Sequence, residues 1–270
     1  MQNRTSDVQT ASAVHEHLDL ERYPLDQPRH RQPLIDRCRE ELATLGLSSL
    51  PGLVRTATIA RAAAELLPLV REQSFFHSRR HNIYFTDTPS CIAADHPALA
   101  LQETSGRTVC DDQITGSFVH ALYEWPPLRD FLARIMGKPR LHLMDDPLAR
   151  VNVMGYRDGE GLGWHFDRSE FTTTLLIQAP QDGGHLEYRP HLAQDDLDGV
   201  ARLLEGRDAA RCTHVQQAGT LSVFRGRNTA HRVTPVVGEI DRLIAVFSYF
   251  DRPGVVFSAA ERRGFYGRAA

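Results

Sequence analysis

Apolar residues recur at helical spacing in the first half of the chain and at strand spacing in the second. From Pro33 to about Leu47, Leu34, Cys38, Leu42 and Leu45 fall on one face, which predicts a helix. Gly46 and the Ser48-Ser49 pair end it. From about Leu53 to Glu72, Val54, Ile59, Ala63, Leu66, Leu67 and Val70 make another apolar stripe, read as core. Thr115 to about Gly137 reads as helix again, broken near Pro126-Pro127. The stretch before these helices, residues 1–30, is polar, holds Pro24 and Pro28, and reads as a loosely ordered arm.

After Pro147 the period changes to two. Along Ala149–Tyr156, Val151 and Val153 share one face, and Arg150, Asn152 and Met154 share the other. Phe171–Gln178, Gly184–Tyr188, Gly219–Phe224, His231–Val236 and Arg242–Phe250 are further strands, and His81–Phe85 is an earlier short one. Turn signals separate the later ones at Asp158-Gly159-Glu160-Gly161, Asp182-Gly183-Gly184, Gly226 and Gly238. Several short strands with glycine-rich turns argue for a sandwich or barrel, interrupted by one helical insertion at about Asp195–Gly206. The expected class is mixed α+β with a mainly β core and N-terminal helices packed on it.

Composition narrows the function only by exclusion. The chain has 270 residues, 41% hydrophobic and 24% charged, as globular proteins do. No apolar run approaches the ~18 residues of a spanning helix, and the polar N-terminus has no secretory apolar stretch, so no membrane partner is expected. A net charge of -3 gives no basic field for nucleic acid. Lys138 is the only lysine among 31 basic residues, and no polybasic run appears. Cys38, Cys91, Cys110 and Cys212 form no C-x-x-C pair and read as inert thiols of a reducing, cytoplasmic protein.

One short motif carries chemistry. His165-Phe166-Asp167 follows the glycine-rich turn Gly161-Leu162-Gly163-Trp164. In an extended backbone, His-x-Asp puts an imidazole and a carboxylate on the same side. A second histidine from a neighbouring strand would complete a two-histidine, one-carboxylate face, which leaves positions on Fe(II) open for a chelating cosubstrate and O2. The dipeptide pattern is not specific by itself, since His17-Leu18-Asp19 in the polar arm also matches. Context singles out the later one. His231 lies 66 residues on, at the start of a strand. Arg242 lies 11 residues after His231 and opens the apolar strand Arg242–Tyr249, where a guanidinium suits a buried carboxylate. Tyr156 stands nine residues before His165.

From about Arg150 to Tyr249 these residues resemble the Fe(II)/2-oxoglutarate-dependent dioxygenases. The resemblance implies a double-stranded β-helix (a jelly roll, cupin-like) over 146–255, with residues 31–145 packed on it and a tail, 256–270, near the active site. It implies His165, Asp167 and His231 as iron ligands, Arg242 as the anchor of 2-oxoglutarate and Tyr156 as its helper. The His-Phe-Asp motif, the strand Arg242–Tyr249 and the closing Gly264-Phe265-Tyr266-Gly267-Arg268 look like the bacterial branch of free-amino-acid hydroxylases and radical halogenases. In that branch an arginine of the N-terminal half holds the substrate carboxylate, a role that Arg79 or Arg80 matches. The halogenases have Gly where this chain has Asp167, so the resemblance implies oxygen insertion into a small molecule, a free amino acid or a derivative.

Other residues are read beside these. Asn152 is a candidate for the cosubstrate pocket; Trp164, Ser248 and Tyr266 are candidates for the substrate. Phe265 is read as lid or packed tail. His185 with Glu187 is a rival ligand pair, and Arg225 and Arg227 read as solvated. Desaturation or ring closure in place of hydroxylation, a non-catalytic cupin-like binding protein and a zinc hydrolase stay open as alternatives. Oligomeric state is not legible.

Overall fold

The computed structural model of the protein describes residues 14–85, 92–93 and 95–269. Cys91 and the first part of the arm, residues 1–13, lie outside them. Among the described residues there are six α-helices: α1 (Gln32–Thr44), α2 (Thr56–Glu72), α3 (Phe118–Glu124), α4 (Pro126–Ile135), α5 (Leu197–Leu204) and α6 (Ala259–Tyr266). Pro33 sits in the first turn of α1, where an N–H has no helical partner to lose. Trp125 separates α3 from α4 with the extended backbone that a residue before proline prefers.

The strands before the His-x-Asp motif are β1 (Leu47–Leu50), β2 (Phe75–His81), β3 (Gln102–Val109), β4 (His142–Leu143) and β5 (Val151–Tyr156). Those of the core that follow are β6 (Leu162–His165), β7 (Thr172–Gln178), β8 (Asp182–Gly183), β9 (Leu186–Pro190), β10 (Cys212–His214) and β11 (Leu221–Phe224). The last four are β12 (Thr229–Val233), β13 (Val236–Val237), β14 (Arg242–Phe247) and β15 (Tyr249–Phe250). Seven form one antiparallel sheet in the order β1-β11-β7-β14-β5-β3-β2, and four form a second, β10-β9-β12-β6.

The period of two sorts the side chains of the large sheet. Val151 and Val153, Leu175 and Ile177, Leu221 and Val223, and Leu243, Ala245 and Phe247 all enter one core with Ile35, Leu66 and Phe131 of the helices. The alternate positions face the other way. There Tyr156, Leu176 and Ile244 form a separate cluster with Val236, and Asn152 and Arg242 lie on the same face. Helices thus cover the outer face of a jelly roll whose inner face is free to carry a site. This is the expected mixed α+β class.

Several elements differ from the sequence reading. Leu47–Leu50, read as a helix end, is a strand that pairs Leu47 with Phe224 and Leu50 with Leu221. The strand expected at His81–Phe85 lies earlier, at Phe75–His81, and Asn82–Phe85 turns, with Phe85 at φ +55°. β3 was not expected, because Gln102–Val109 is polar and carries no apolar alternation. Residues 162–164, expected as turn, belong to β6. The C-terminal tail is a helix, opened by a Ser258–Glu261 capping box. The arm is not loose where described: Val14, Leu18, Tyr23 and Leu25 are buried, and the Tyr23 hydroxyl donates to Pro51 O at 2.9 Å.

The helix layer meets the sheet at Gly155 of β5, where a Cβ would run into Val70 of α2. Gly155→Ala is therefore expected to lower stability by about 1–3 kcal/mol, as overpacking does, measured by denaturant unfolding.

Candidate metal centre

His165 ends β6, His231 is the third residue of β12, and the two are direct partners across the ladder of the smaller sheet. Their ring centroids stand 4.0 Å apart. Each imidazole donates its Nδ1–H to a main-chain carbonyl two residues back, Gly163 O for one and Thr229 O for the other, both at 2.9 Å. A carbonyl only accepts, so Nδ1 carries the proton and Nε2 keeps its lone pair. Asp167 comes back to the same side two residues after His165. Its Oδ1 is 3.3 Å from His165 Nε2, and its Oδ2 is 3.5 Å from His231 Nε2. The three ligand atoms lie within 4.8 Å of one another, the one such group found among the described residues.

The carboxylate is held from behind. The Asp167 N–H donates to Gly226 O at 3.0 Å, and the Thr172 hydroxyl donates to Oδ2 at 2.5 Å. A Cβ on Gly226 would occupy the space of Asp167 Oδ2 and Thr172 Oγ1. Burial and the neighbouring His165 push the His231 imidazole down to about 4, so it is a neutral donor at pH 7. Burial opposes charge on Asp167, but His231, His165 and the Thr172 hydroxyl outweigh it and hold the carboxyl below the usual range. Two imidazole nitrogens and one carboxylate suit Fe(II).

A network behind His165 fixes the wall of the site. The Gly163 N–H donates to Thr104 Oγ1 at 2.9 Å, and that hydroxyl donates to His81 Nε2 at 2.7 Å. The His81 ring stacks on Phe85 at 4.1 Å, and Phe85 leans on His165 at 5.2 Å. The sequence did not single out His81, Thr104, Phe85, Thr172 or Gly226. None has a local pattern that differs from ordinary strand or turn residues.

Arg242 is 2% exposed, opposite Tyr156 in the β14–β5 ladder, with its guanidinium carbon 5.6 Å from that ring centre. Its Nη1 is buried and has no hydrogen-bond partner among the described residues. Burial also lowers its pKa, with Tyr156 opposing it only in part. Burial pushes the Tyr156 phenol up to about 12, which keeps it protonated.

Alternation along β2 separates the two candidate arginines. Arg80 faces solvent near Glu103, at 3.9 Å. Arg79 lies over Phe85 at 4.6 Å and Phe265 at 5.8 Å, and among the described residues it has no hydrogen bond or ion pair. Arg79 is also exposed by surface area, and partial desolvation beside the two rings together with the nearby Arg168 lowers its pKa. Trp164 alternates away from His165 and packs with Ile83, Phe166 and Val200, beneath Arg232 at 5.1 Å, so it does not face the metal side.

Asn152 pairs with Val246, four residues along β14 from Arg242. Both its polar atoms are engaged, Nδ2 donating to Leu148 O at 2.8 Å and Oδ1 accepting from Tyr266 at 3.0 Å. Asn152 and Tyr266 therefore tie α6 to β5. Ser248 stands in the break after β14, its carbonyl accepting from Tyr123 at 2.8 Å. His185 is near Asp182 at 3.9 Å while Glu187 pairs with Arg232 at 2.6 Å, so they form no rival ligand pair. Arg227 is exposed as expected, but Arg225 is partly buried over Phe171 at 5.4 Å.

The family model described as Halogenase D matches residues 30–255. Among solved structures, the non-haem alpha ketoglutarate dependent epimerase SnoN from nogalamycin biosynthesis aligns with TM-score 0.57 and 17% identity over 81% of each chain. An oxidoreductase of the 2OG-Fe(II) oxygenase family from Burkholderia pseudomallei aligns with TM-score 0.51 and 14% identity, over 82% of this chain and 92% of that one. A prolyl-4-hydroxylase from Pseudomonas putida gives 0.50 and 17%, over 80% and 99%. No curated protein matches the chain.

Gly226→Ala is expected to displace the Asp167 carboxylate and weaken Fe(II) binding about 10–100-fold, as loss of a ligand's outer support does. Anaerobic metal titration of the folded variant measures it, with unchanged affinity as the contrary result.

Proposed function

Because the chain belongs to the Halogenase D family and has the fold of the 2OG-Fe(II) oxygenases, we propose that it is a non-haem Fe(II)/2-oxoglutarate-dependent oxygenase. On this reading it hydroxylates an unactivated C–H bond of a free amino acid or a close derivative. The observation that carries the proposal is the Asp167 carboxylate facing the free Nε2 atoms of His165 and His231. Together the three residues hold Fe(II).

The chemistry supplied by bound iron, 2-oxoglutarate and O2 is oxidation of a C–H bond to C–OH, with 2-oxoglutarate leaving as succinate and CO2. The chain binds, orients and shields. Arg242 receives the far carboxylate of 2-oxoglutarate, because a buried guanidinium with an unpartnered Nη1 is costly until an anion meets it. Tyr156 stays protonated beside it, and its hydroxyl, which donates to the weak acceptor Met154 Sδ at 3.8 Å, has a better acceptor in a carboxylate. Asp167 occupies the place that a halide would need, which favours oxygen insertion over halogenation. Arg79 receives the substrate carboxylate, for it is unpaired among the described residues and its guanidinium carbon lies over Phe85, which neighbours His165. The Phe265 ring lies 5.8 Å from the same guanidinium carbon, and the exposed Arg79 side chain is open to a carboxylate that arrives from solvent.

In this reading residues 146–255 are the catalytic core, 31–145 brace it, and α6 closes over the mouth. The described cysteines Cys38, Cys110 and Cys212 are free thiols, which supports a reducing, cytoplasmic setting.

Arg242→Leu is expected to keep Fe(II) and to weaken 2-oxoglutarate by about 30-fold or more, since removing one partner of a buried charge pair costs ~2–5 kcal/mol. An unchanged apparent affinity would move the anchor elsewhere. The substrate is found by incubating the Fe(II) protein with 2-oxoglutarate, O2 and a panel of free amino acids. The expected product carries one added oxygen with one succinate formed per product. Loss of two hydrogens instead would mean desaturation or ring closure, and chlorination in chloride buffer would contradict Asp167 as a ligand. Arg79→Gln is expected to raise KM for that amino acid tenfold or more while leaving 2-oxoglutarate affinity intact.

A further inference from the structure

Two imidazoles and one carboxylate oxygen leave three positions on a six-coordinate ion. A chelating 2-oxoglutarate takes two of these, and O2 needs the third. A carboxylate that binds through both oxygens fills the third position itself. Asp167 must therefore bind through one oxygen, and the chain has to decide which.

The two oxygens of Asp167 have different surroundings. Oδ2 accepts the Thr172 hydroxyl at 2.5 Å, and the absence of a side chain on Gly226 leaves room for both. Oδ1 faces His165 Nε2 at 3.3 Å and accepts no hydroxyl among the described residues, whereas Oδ2, 3.5 Å from His231 Nε2, is the oxygen that Thr172 engages. The Thr172 hydroxyl is itself set, with Ser169 Oγ 3.3 Å away, able to donate and so leave the Thr172 proton for Asp167. Thr172 is the first residue of β7 and pairs with Phe224 of β11, whose ring meets the edge of His231 at 4.7 Å. The donor thus sits on the rigid sheet, not on the loop that bears Asp167.

We propose that Thr172 is a positioning residue that occupies Asp167 Oδ2, restricts the carboxylate to ligation through Oδ1, and so keeps one metal position open for O2. A hydrogen bond from a neutral hydroxyl draws on the lone pairs that a second metal bond needs, and it fixes the carboxylate plane. The inference rests on the Fe(II)/2-oxoglutarate reading above and concerns this chain's own donor, not the ligand set.

The test uses nitric oxide as a stand-in for O2. Native protein, Thr172→Val and Thr172→Ser are loaded anaerobically with Fe(II) and 2-oxoglutarate. Iron content and the 2-oxoglutarate charge-transfer absorption are measured, and nitric oxide is then titrated while the paramagnetic signal of the iron nitrosyl is followed. Thr172→Val keeps the side-chain shape and loses the donor; Thr172→Ser keeps the donor. We expect Thr172→Val to retain one Fe(II) and the absorption but to need at least tenfold more nitric oxide, and Thr172→Ser to return to the native titration. Thr172→Ala serves the same comparison if the valine variant does not fold.

Native nitric oxide binding in Thr172→Val with full iron overturns the proposal. So does loss of iron from a folded Thr172→Val, which would mean that the hydroxyl holds the carboxylate on the metal. Absence of the charge-transfer absorption in the native protein would remove the iron reading itself. A native absorption with an indifferent Thr172→Val would remove only the role of Thr172.

Discussion

The pairing of His165 with His231 across the small sheet is the constraint from which the site follows. Side chains on paired strands alternate, so a one-residue slip of β12 against β6 would turn one imidazole to the opposite face. The register is held by more than these two strands. β12 also pairs with β9 over five residues, with His231 opposite Tyr188. The carbonyls of Gly163 and Thr229 then fix both ring tautomers without any further side chain. The metal face is thus a product of backbone geometry, and Asp167 joins it because the next outward position lies two residues on.

The two candidate carboxylate anchors differ in what surrounds them. Arg242 is buried beside Tyr156, with a nitrogen that has no partner among the described residues. Arg79 stands at the mouth between two aromatic rings. A sunken cation gains most from an anion, because its lost hydration is replaced by nothing else. A carboxylate bound at Arg242 would, by mass action, stabilise the native state. The C-terminal helix contributes at the mouth, with Glu261 meeting Arg168 at 2.6 Å and the Phe265 ring, one turn on, 5.8 Å from the Arg79 guanidinium carbon.

What the sequence revealed depended on the range of the signal. The core strands and the grouping of His165, Asp167 and His231 were legible because alternation and the His-x-Asp pattern are local, and because Arg242 stood out in an apolar strand. The strands β1 and β3 were not. Leu47–Leu50 is too short to show a period, and Gln102–Val109 is polar along its length. Arg79 and Arg80 were equivalent in sequence, and only the true limits of β2 assign them to opposite faces. Trp164 was a plausible substrate contact until β6 was seen to begin at Leu162, which turns it away from His165. Thr172 and His81 reach the centre through pairings distant in the chain, and no local pattern marks such residues. Asn152, on the polar face of its strand, and Tyr266, in the closing Gly264–Arg268 segment, were pocket candidates, but they bond to each other.

The central claim is that one Fe(II) and one 2-oxoglutarate sit together on this face. The most direct measurement is the absorption spectrum of the anaerobic protein as 2-oxoglutarate is added to stoichiometric Fe(II). The account predicts a saturable charge-transfer band with one equivalent of each, abolished in His231→Ala. Tight Zn(II) binding with no such band from Fe(II) and 2-oxoglutarate would contradict it.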